Sequence, residues 1–464
     1  MEANNNDKIV ASTWSGALHP PPSVPAQADV VIIGGGIVGV STAWFLARKG
    51  VQVVLCEKGY IAGEQSGRNW GWVRQQGRDL REMPMMLEAM RIWRNLSYEI
   101  EADVGFTQGG CLFTAETDSQ MEEYYAWVAA AKEFGVDTRV IDGNEMKKIV
   151  AGATVDWRGA LYTPSDGRAE PHKAAPAIAR AASRNGATIL TSCAVRGVET
   201  EAGRIATVVT EHGRIRTSTV LCAAGAWTSM FCRALGISLP QLRVRGTVAR
   251  TAPGPDVLDG NLFDDRIGIR KRQDGGYTVA HGSVLDHGLT PSTFRYAFKF
   301  LPALKKEIGV LRLRFGRDFF DELRMPTRWP LDKPSPFETH RVLNPDPSPR
   351  ILKQIRRNLD TVFPALADTP IVESWAGMVE TTPDVVPVIG EVGDAGGFYV
   401  ATGLSGHGFG IGPGAGKALA ALLTGAHSDI DLEPFRLSRF YDARPIELQT
   451  AICKIPYGCS SCSE

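Results

Sequence analysis

The stretch Gly34-Gly35-Gly36-Ile37-Val38-Gly39 has the spacing that most directly implies chemistry. An apolar run precedes it and a helical pattern follows it. A second apolar run ends in Glu57, close to the roughly 20-residue separation that a dinucleotide fingerprint requires. Gly34 permits a tight turn, Gly36 lets the backbone approach a pyrophosphate, and Gly39 allows helix and strand to pack closely. Ile37 and Val38 open the helix whose N-terminus attracts the phosphates. Glu57 is placed to accept hydrogen bonds from ribose hydroxyls, with Lys58 next to it.

This fingerprint suits a nicotinamide or a flavin dinucleotide. Three further stretches favour FAD. Ile61 to Arg68 brings small and polar residues, including Gln65, Ser66, Gly67 and Arg68, just after Glu57. Leu221 to Trp227 is an apolar strand ending in Ala224, Gly225 and Trp227, small enough at its end for close approach to a cofactor. Gly403, Gly406, His407, Gly408 and Phe409 form a glycine-rich turn before a helix expected over Gly412–Leu423. A helix N-terminus there would stabilise an anionic reduced flavin. Only one such fingerprint is present, which disfavours a nicotinamide-dependent enzyme.

These residues need elements to position them. The chain has 464 residues, 44% hydrophobic and 22% charged, with 51 basic and 51 acidic side chains. Such a balance gives no reason to expect nucleic acid or an anionic membrane surface as partner. No stretch reads as a secretory signal or an integral membrane segment, and the singly placed cysteines suit a cytoplasmic protein. The pattern predicts strands at Asp29–Ile33 and Val51–Cys56 around a helix at Ile37–Lys49. Further helices are expected near Arg81–Ile100, Ser119–Phe134 and Pro171–Asn185, and helical structure from Pro291 to Phe320. Loop is expected from Pro326 to Pro349.

The expected fold class is α/β with α+β inserts: a Rossmann-like FAD-binding domain and an antiparallel-sheet substrate domain. The first would combine 28–104, 157–240 and 371–441; the second, 105–156 and 241–370. A flexible arm at 1–27 and a Cys-containing tail at 442–464 would flank them.

The combined motifs resemble the D-amino-acid oxidase superfamily of flavoproteins. The resemblance spans about Ala28 to Tyr441 and includes Thr382-Pro383-Asp384, Pro387-Val388-Ile389-Gly390 and Gly406-His407-Gly408-Phe409. Within it the chain looks most similar to bacterial L-amino-acid deaminases, sharing Ile61 to Arg68, Cys193-Ala194-Val195-Arg196-Gly197, and Met325-Pro326-Thr327 with Trp329. The resemblance implies bound FAD, with Val195 among its contacts. It also implies oxidation of a C–N bond by hydride transfer to the flavin, with the imine hydrolysing to an oxo product and ammonia or amine. The acceptor would be oxygen or an electron-transfer chain.

Two departures stand out. The deaminases carry an N-terminal anchoring segment, which is not apparent here. They also grip the substrate carboxylate with a strand arginine, where this chain reads Tyr277-Thr278-Val279-Ala280-His281-Gly282. By resemblance to sarcosine oxidases, Arg74 is the replacement clamp, with Arg270 as a substitute. Trp70 and Trp72 could wall the substrate. The expected catalytic set is Arg74, Trp72, His407 and His281, with no metal. Trp375-Ala376-Gly377-Met378 lacks the cysteine that tethers flavin in sarcosine oxidases, so non-covalent FAD is expected. A 2-hydroxy-acid dehydrogenase, or the flavin subunit of a larger amine dehydrogenase, are the alternatives. The tail's Cys453, Cys459 and Cys462 are expected to be flexible rather than a metal or redox site.

Overall fold

The structure is a computed structural model that describes residues 23–307, 311–446 and 448. The N-terminal arm up to residue 22 and the three tail cysteines lie outside the described residues.

Val30–Ile33 is the centre of a six-stranded sheet. It pairs in parallel with Val53–Cys56 on one side and Val220–Cys222 on the other. Thr188–Leu190 and Phe398–Thr402 extend the parallel array, and Val388–Glu391 closes one edge in antiparallel sense. The central strands are continuous apolar runs because both faces are covered. Val30, Ile32, Val53 and Leu55 pack into a helical layer. Their alternates Val31, Ile33, Val54 and Cys56 pack against a small three-stranded sheet built from Val195–Glu201, Arg204–Thr210 and Gly213–Arg216.

In the helical layer, Ile37–Ala47 lies against Pro171–Arg184 and Gly408–Leu423. The last helix begins at Gly408, four residues before the start expected from the glycine-rich sequence. Its glycines are interhelical contacts rather than breakers. A β-carbon on Gly412 would lie 2.8 Å from Ile37, on Gly416 2.5 Å from Ser41, and on Gly414 2.2 Å from the Met85 carbonyl. Close packing therefore overrides the low helix propensity of glycine.

A ten-stranded, mainly antiparallel sheet forms the second layer system. Its long pair is Leu242–Thr251 with Ile371–Thr381, in a register that sets Arg243 opposite Glu380 and Gly246 opposite Gly377. Gly159–Thr163 and Cys111–Ala115 also belong to this sheet. Helix Pro349–Val362, which the sequence reading did not anticipate, covers it with Ile351, Ile355, Leu359 and Val362, one apolar stripe at helical spacing. The 291–320 stretch is not wholly helical: helices Pro291–Arg295 and Ala297–Glu307 give way to a strand, Leu311–Arg314, paired with Leu285–Gly288. Its alternating Leu and Arg suit an edge strand better than a helix face. The two sheet systems and their inserts match the mixed α/β class that the sequence implies.

Candidate active site

At the carboxyl ends of the Val30–Ile33, Val53–Cys56 and Val220–Cys222 strands lies a cavity. This is where open α/β sheets bind nucleotides. Gly34 has φ +110°, and a β-carbon there would stand 2.5 Å from the Ala223 carbonyl oxygen. One on Gly39 would stand 2.1 Å from the Gly34 oxygen. Both positions need glycine for the turn and helix to meet. At the helix N-terminus, Gly36 has no side-chain cap, and the Ser66 hydroxyl accepts from the Ile37 amide at 2.8 Å.

Glu57 is half-buried in the wall of the same cavity. Its two carboxylate oxygens accept from the Gly35 and Gly59 amides at 2.7 Å each, which leaves lone pairs for other donors. Burial pushes its pKa up. A carboxylate acceptor beside a helix N-terminus and a glycine cradle fits the ribose and pyrophosphate of FAD. Gly34, Gly36, Ile37, Val38, Glu57, Gln65, Ser66, Val195, Ala224, Gly225, Trp227, Gly406, Gly408 and Phe409 all line this space.

Other sequence-chosen residues have different places. Lys58 lines the cavity, but its ammonium is bound to Glu64 at 2.8 Å and to the His340 and Arg341 carbonyls, and lies 4.4 Å from the Trp227 ring centre. Glu64 also accepts from the Trp227 indole at 2.9 Å. Gly39, Gly67 and Gly403 serve packing: a β-carbon on Gly67 would lie 2.4 Å from the Ala62 oxygen, and one on Gly403 2.3 Å from Thr382. Arg68 opens onto a second cavity.

That second cavity meets the first at Gln65, Asn69, Gly406 and Phe409. Trp70, Trp72, Phe113, Val248 and Val379 make it largely apolar, and Arg74, Arg78 and His407 supply its polarity. Trp70 and Trp72 pack edge to face at 5.2 Å. Arg74 is buried, its guanidinium 5.2 Å from the Phe113 ring centre, and it donates to the Gln76 carbonyl. It makes no salt bridge with any described acid. Burial, with Arg78 nearby, lowers its pKa to about 10. Asp166 anchors the Arg74 loop, accepting from the Gln75 and Gln76 amides at 2.7 and 3.2 Å; burial raises its pKa to about 6.

His281 lines neither cavity. Its Nδ1 accepts from the Ser283 amide at 3.2 Å, and burial lowers its pKa to about 4. Arg270 is also elsewhere, its fork held by both oxygens of Glu170 at 3.0 and 3.1 Å.

Two acids escaped the sequence reading. Glu380 lines the first cavity from the Ile371–Thr381 strand, and burial raises its pKa to about 7. Glu82 is fully buried behind the second cavity, where Arg78 and His407 hold its pKa down at about 2 despite desolvation. Neither has a local motif. Their positions depend on strand register and on a turn at the start of helix Met83–Glu99. Beside the cavities, Gln65 Oε1 and Trp72 Nε1 are buried without hydrogen-bond partners, which leaves them free for a ligand.

Among the described residues no cluster of three His, Cys, Asp or Glu is placed to hold a metal, and no helix is long and apolar enough to cross a membrane.

Comparison with known proteins gives a consistent picture. The family described as FAD dependent oxidoreductase matches residues 29–422. The L-amino acid deaminase from Proteus myxofaciens, solved in complex with anthranilate, is 34% identical, with a TM-score of 0.87 over 90% of this chain and 95% of that one. Sarcosine oxidase subunit beta from Rhodobacter capsulatus is 25% identical over 95% of both chains. Mouse mitochondrial sarcosine dehydrogenase is 26% identical over 91% of this chain, which spans only 42% of that longer protein.

Proposed function

The chain belongs to the FAD dependent oxidoreductase family, and from that premise we propose that it oxidises the C–N bond of a carboxylate-bearing amine, an amino acid or an N-substituted amino acid. The observation that carries this reading is Arg74. A buried guanidinium without a described acid in salt-bridge contact, in the wall of an apolar cavity that opens onto the cofactor cavity, calls for an anion of its own. A carboxylate fits its planar fork in bidentate fashion.

In this reading Gly34, Gly36, Val38, Glu57 and Ser66 hold FAD non-covalently. The described cysteine in the cavity wall, Cys56, adjoins Glu57 at the ribose end. FAD, when bound, supplies the two-electron acceptor. The chain's own residues bind and orient. Arg74 fixes the carboxylate, Trp70, Trp72 and Phe113 shape the side-chain space and exclude water, and His407 lines the second cavity beside the junction residue Gly406. Holding the reacting C–H bond in one orientation is the main demand on the protein. Oxygen or an electron-transfer chain then takes the electrons onward.

The test is anaerobic mixing of the FAD-loaded protein with L- and D-amino acids, N-methyl amino acids, simple amines and 2-hydroxy acids, followed by flavin absorbance. Bleaching by carboxylated amines, with ammonia or a smaller amine released, is the expected result. Bleaching by 2-hydroxy acids alone would replace this reading with a hydroxy-acid dehydrogenase. A second reading, the flavin subunit of a larger amine dehydrogenase, is supported by the end-to-end match to a sarcosine oxidase subunit. It expects no turnover until a partner protein is added.

A further inference from the structure

Behind the second cavity, three buried side chains form a chain of contacts that the binding roles above do not use. Glu82 Oε2 accepts from Arg78 Nη1 at 2.9 Å and lies 3.5 Å from His407 Nδ1. Arg78 also donates through Nε to the Arg74 carbonyl at 2.8 Å and through Nη2 to the His407 carbonyl at 3.4 Å. One carboxylate therefore faces one nitrogen of the imidazole. His407 lines the second cavity, and no described residue hydrogen-bonds its Nε2. Three elements build the arrangement: the Leu80–Glu82 turn, the loop carrying Arg74 and Arg78, and the His407 cap of helix Gly408–Leu423.

We propose that Glu82 is a positioning residue that holds His407 in the Nδ1–H tautomer, so that Nε2 presents its lone pair to the substrate cavity and takes the proton a substrate ammonium must lose before oxidation. The inference rests on the amine-oxidising reading above. A carboxylate against one imidazole nitrogen sets which nitrogen carries hydrogen. The transfer is balanced: one N–H bond of the ammonium breaks, one Nε2–H bond forms, and the imidazolium later returns its proton to solvent. The neutral amine then has the nitrogen lone pair that assists loss of the adjacent C–H bond.

The surroundings keep the imidazole in its basic form. Burial lowers the His407 pKa, and Arg74 and Arg78 act in the same direction, while Glu82 opposes them. The positive end of the helix that His407 caps also disfavours imidazolium. Arg68 adds another cation in the cavity wall, whereas Val248, Gly377 and Val379, facing from the large sheet, carry no charge. Arg78 draws off part of the Glu82 charge, so the carboxylate orients the ring without holding it protonated.

The first experiment needs no turnover. Nitrogen-15 NMR of histidine-labelled holoenzyme, with His407 assigned through His407→Asn, reads the tautomer directly. Protonated Nδ1 with bare Nε2 is expected in the wild type, and mixed tautomers in Glu82→Gln. Bare Nδ1 in the wild type, or an unchanged tautomer in Glu82→Gln, overturns the dyad. Glu82→Asp should recover the wild-type tautomer in part, which separates orientation from simple misfolding.

The second experiment follows anaerobic flavin reduction by sarcosine, L-phenylalanine and L-lactate against pH. His407→Asn should slow reduction by the amines about 100-fold, the range of general base catalysis, and Glu82→Gln about tenfold. Loss of Glu82 removes the charge that raises the His407 pKa, so the acid limb should move to lower pH. Amine reduction that is unchanged in both variants overturns the proton-acceptor role. Reduction by L-lactate alone, with the wild-type tautomer as expected, overturns the amine reading and with it the proton transfer, but not the Glu82–His407 geometry.

Discussion

The two cavities meet at four residues, yet they are built on different principles. The cofactor cavity is built around backbone, a strand end, a glycine turn and a helix N-terminus within one stretch from Val30 to Glu57, with further walls from segments such as Ala223–Trp227 and Gly406–Phe409. The second cavity, proposed for the substrate, is shaped by side chains from separate segments, near residues 65–78, 113, 246–248, 377–379 and 406–409. A backbone cradle tolerates almost no added atoms. A side-chain cavity tolerates change in shape but depends on a few charges. Substitutions should therefore fail in different ways on the two sides.

The largest effect is expected from Gly36→Val. A β-carbon there already stands 3.1 Å from Ser66 Oγ, and the branched side chain would enter the pyrophosphate slot. The protein should purify colourless, with less than about a tenth of the wild-type FAD and a native circular dichroism spectrum. Full flavin absorbance would show that the cradle lies elsewhere.

Next comes Arg74→Ala, on the substrate side. FAD content should stay unchanged while KM for a carboxylated amine rises about 100-fold, as expected when one partner of a buried charge pair is removed. Arg74→Met should abolish the clamp and also raise the melting temperature, because a desolvated cation is replaced by an apolar side chain of similar length. A lower melting temperature would mean that Arg74 supports the fold rather than the substrate.

Glu380 gives a pH-dependent contrast on the cofactor side. Its folded pKa, about 7, lies above the ordinary carboxyl value of 4.5. The folded state therefore holds the proton more tightly than the unfolded chain. The resulting stability is full below about pH 4.5 and is lost as pH rises through 7. In the FAD-free protein, Glu380→Gln should remove this loss and stabilise the fold at pH 8 by roughly 3 kcal/mol, with little change at pH 4.5. Equal effects at both pH values in urea titrations would contradict the assignment.

The smallest effect is expected from Asp166→Asn. Loss of the carboxylate weakens the bonds to the Gln75 and Gln76 amides, so the Arg74 loop should loosen and KM rise by about three- to tenfold at constant FAD content. A change in kcat alone would place Asp166 in the chemistry instead.

The contrast also explains what could be read in advance. Glycine spacing, an apolar run and a terminal acid lie within one local unit, so the Gly34–Gly39 turn and Glu57 are legible without tertiary information. His281 shows the opposite case. The sequence reading expects it at the substrate, but its ring bonds to its own turn and lines neither cavity. Arg270 is similar, since its bidentate partner Glu170 is 100 residues away and gives no signal in the sequence. The glycine-rich run after His407 reads as loop by propensity and folds as helix because Ile37, Ser41 and Met85 press against it.

The sequence by itself determined that a dinucleotide fold is present, where its turn lies and which acid ends its second strand, because those features depend on neighbours a few residues apart. Only the tertiary structure decided that Arg74 has no described acid in salt-bridge contact, that Glu82 faces His407, and that Glu380 enters the cofactor cavity. The physical reason is that desolvation and charge pairing depend on what surrounds a group in three dimensions. For these residues the decisive neighbours lie on other elements, up to more than 300 residues along the chain.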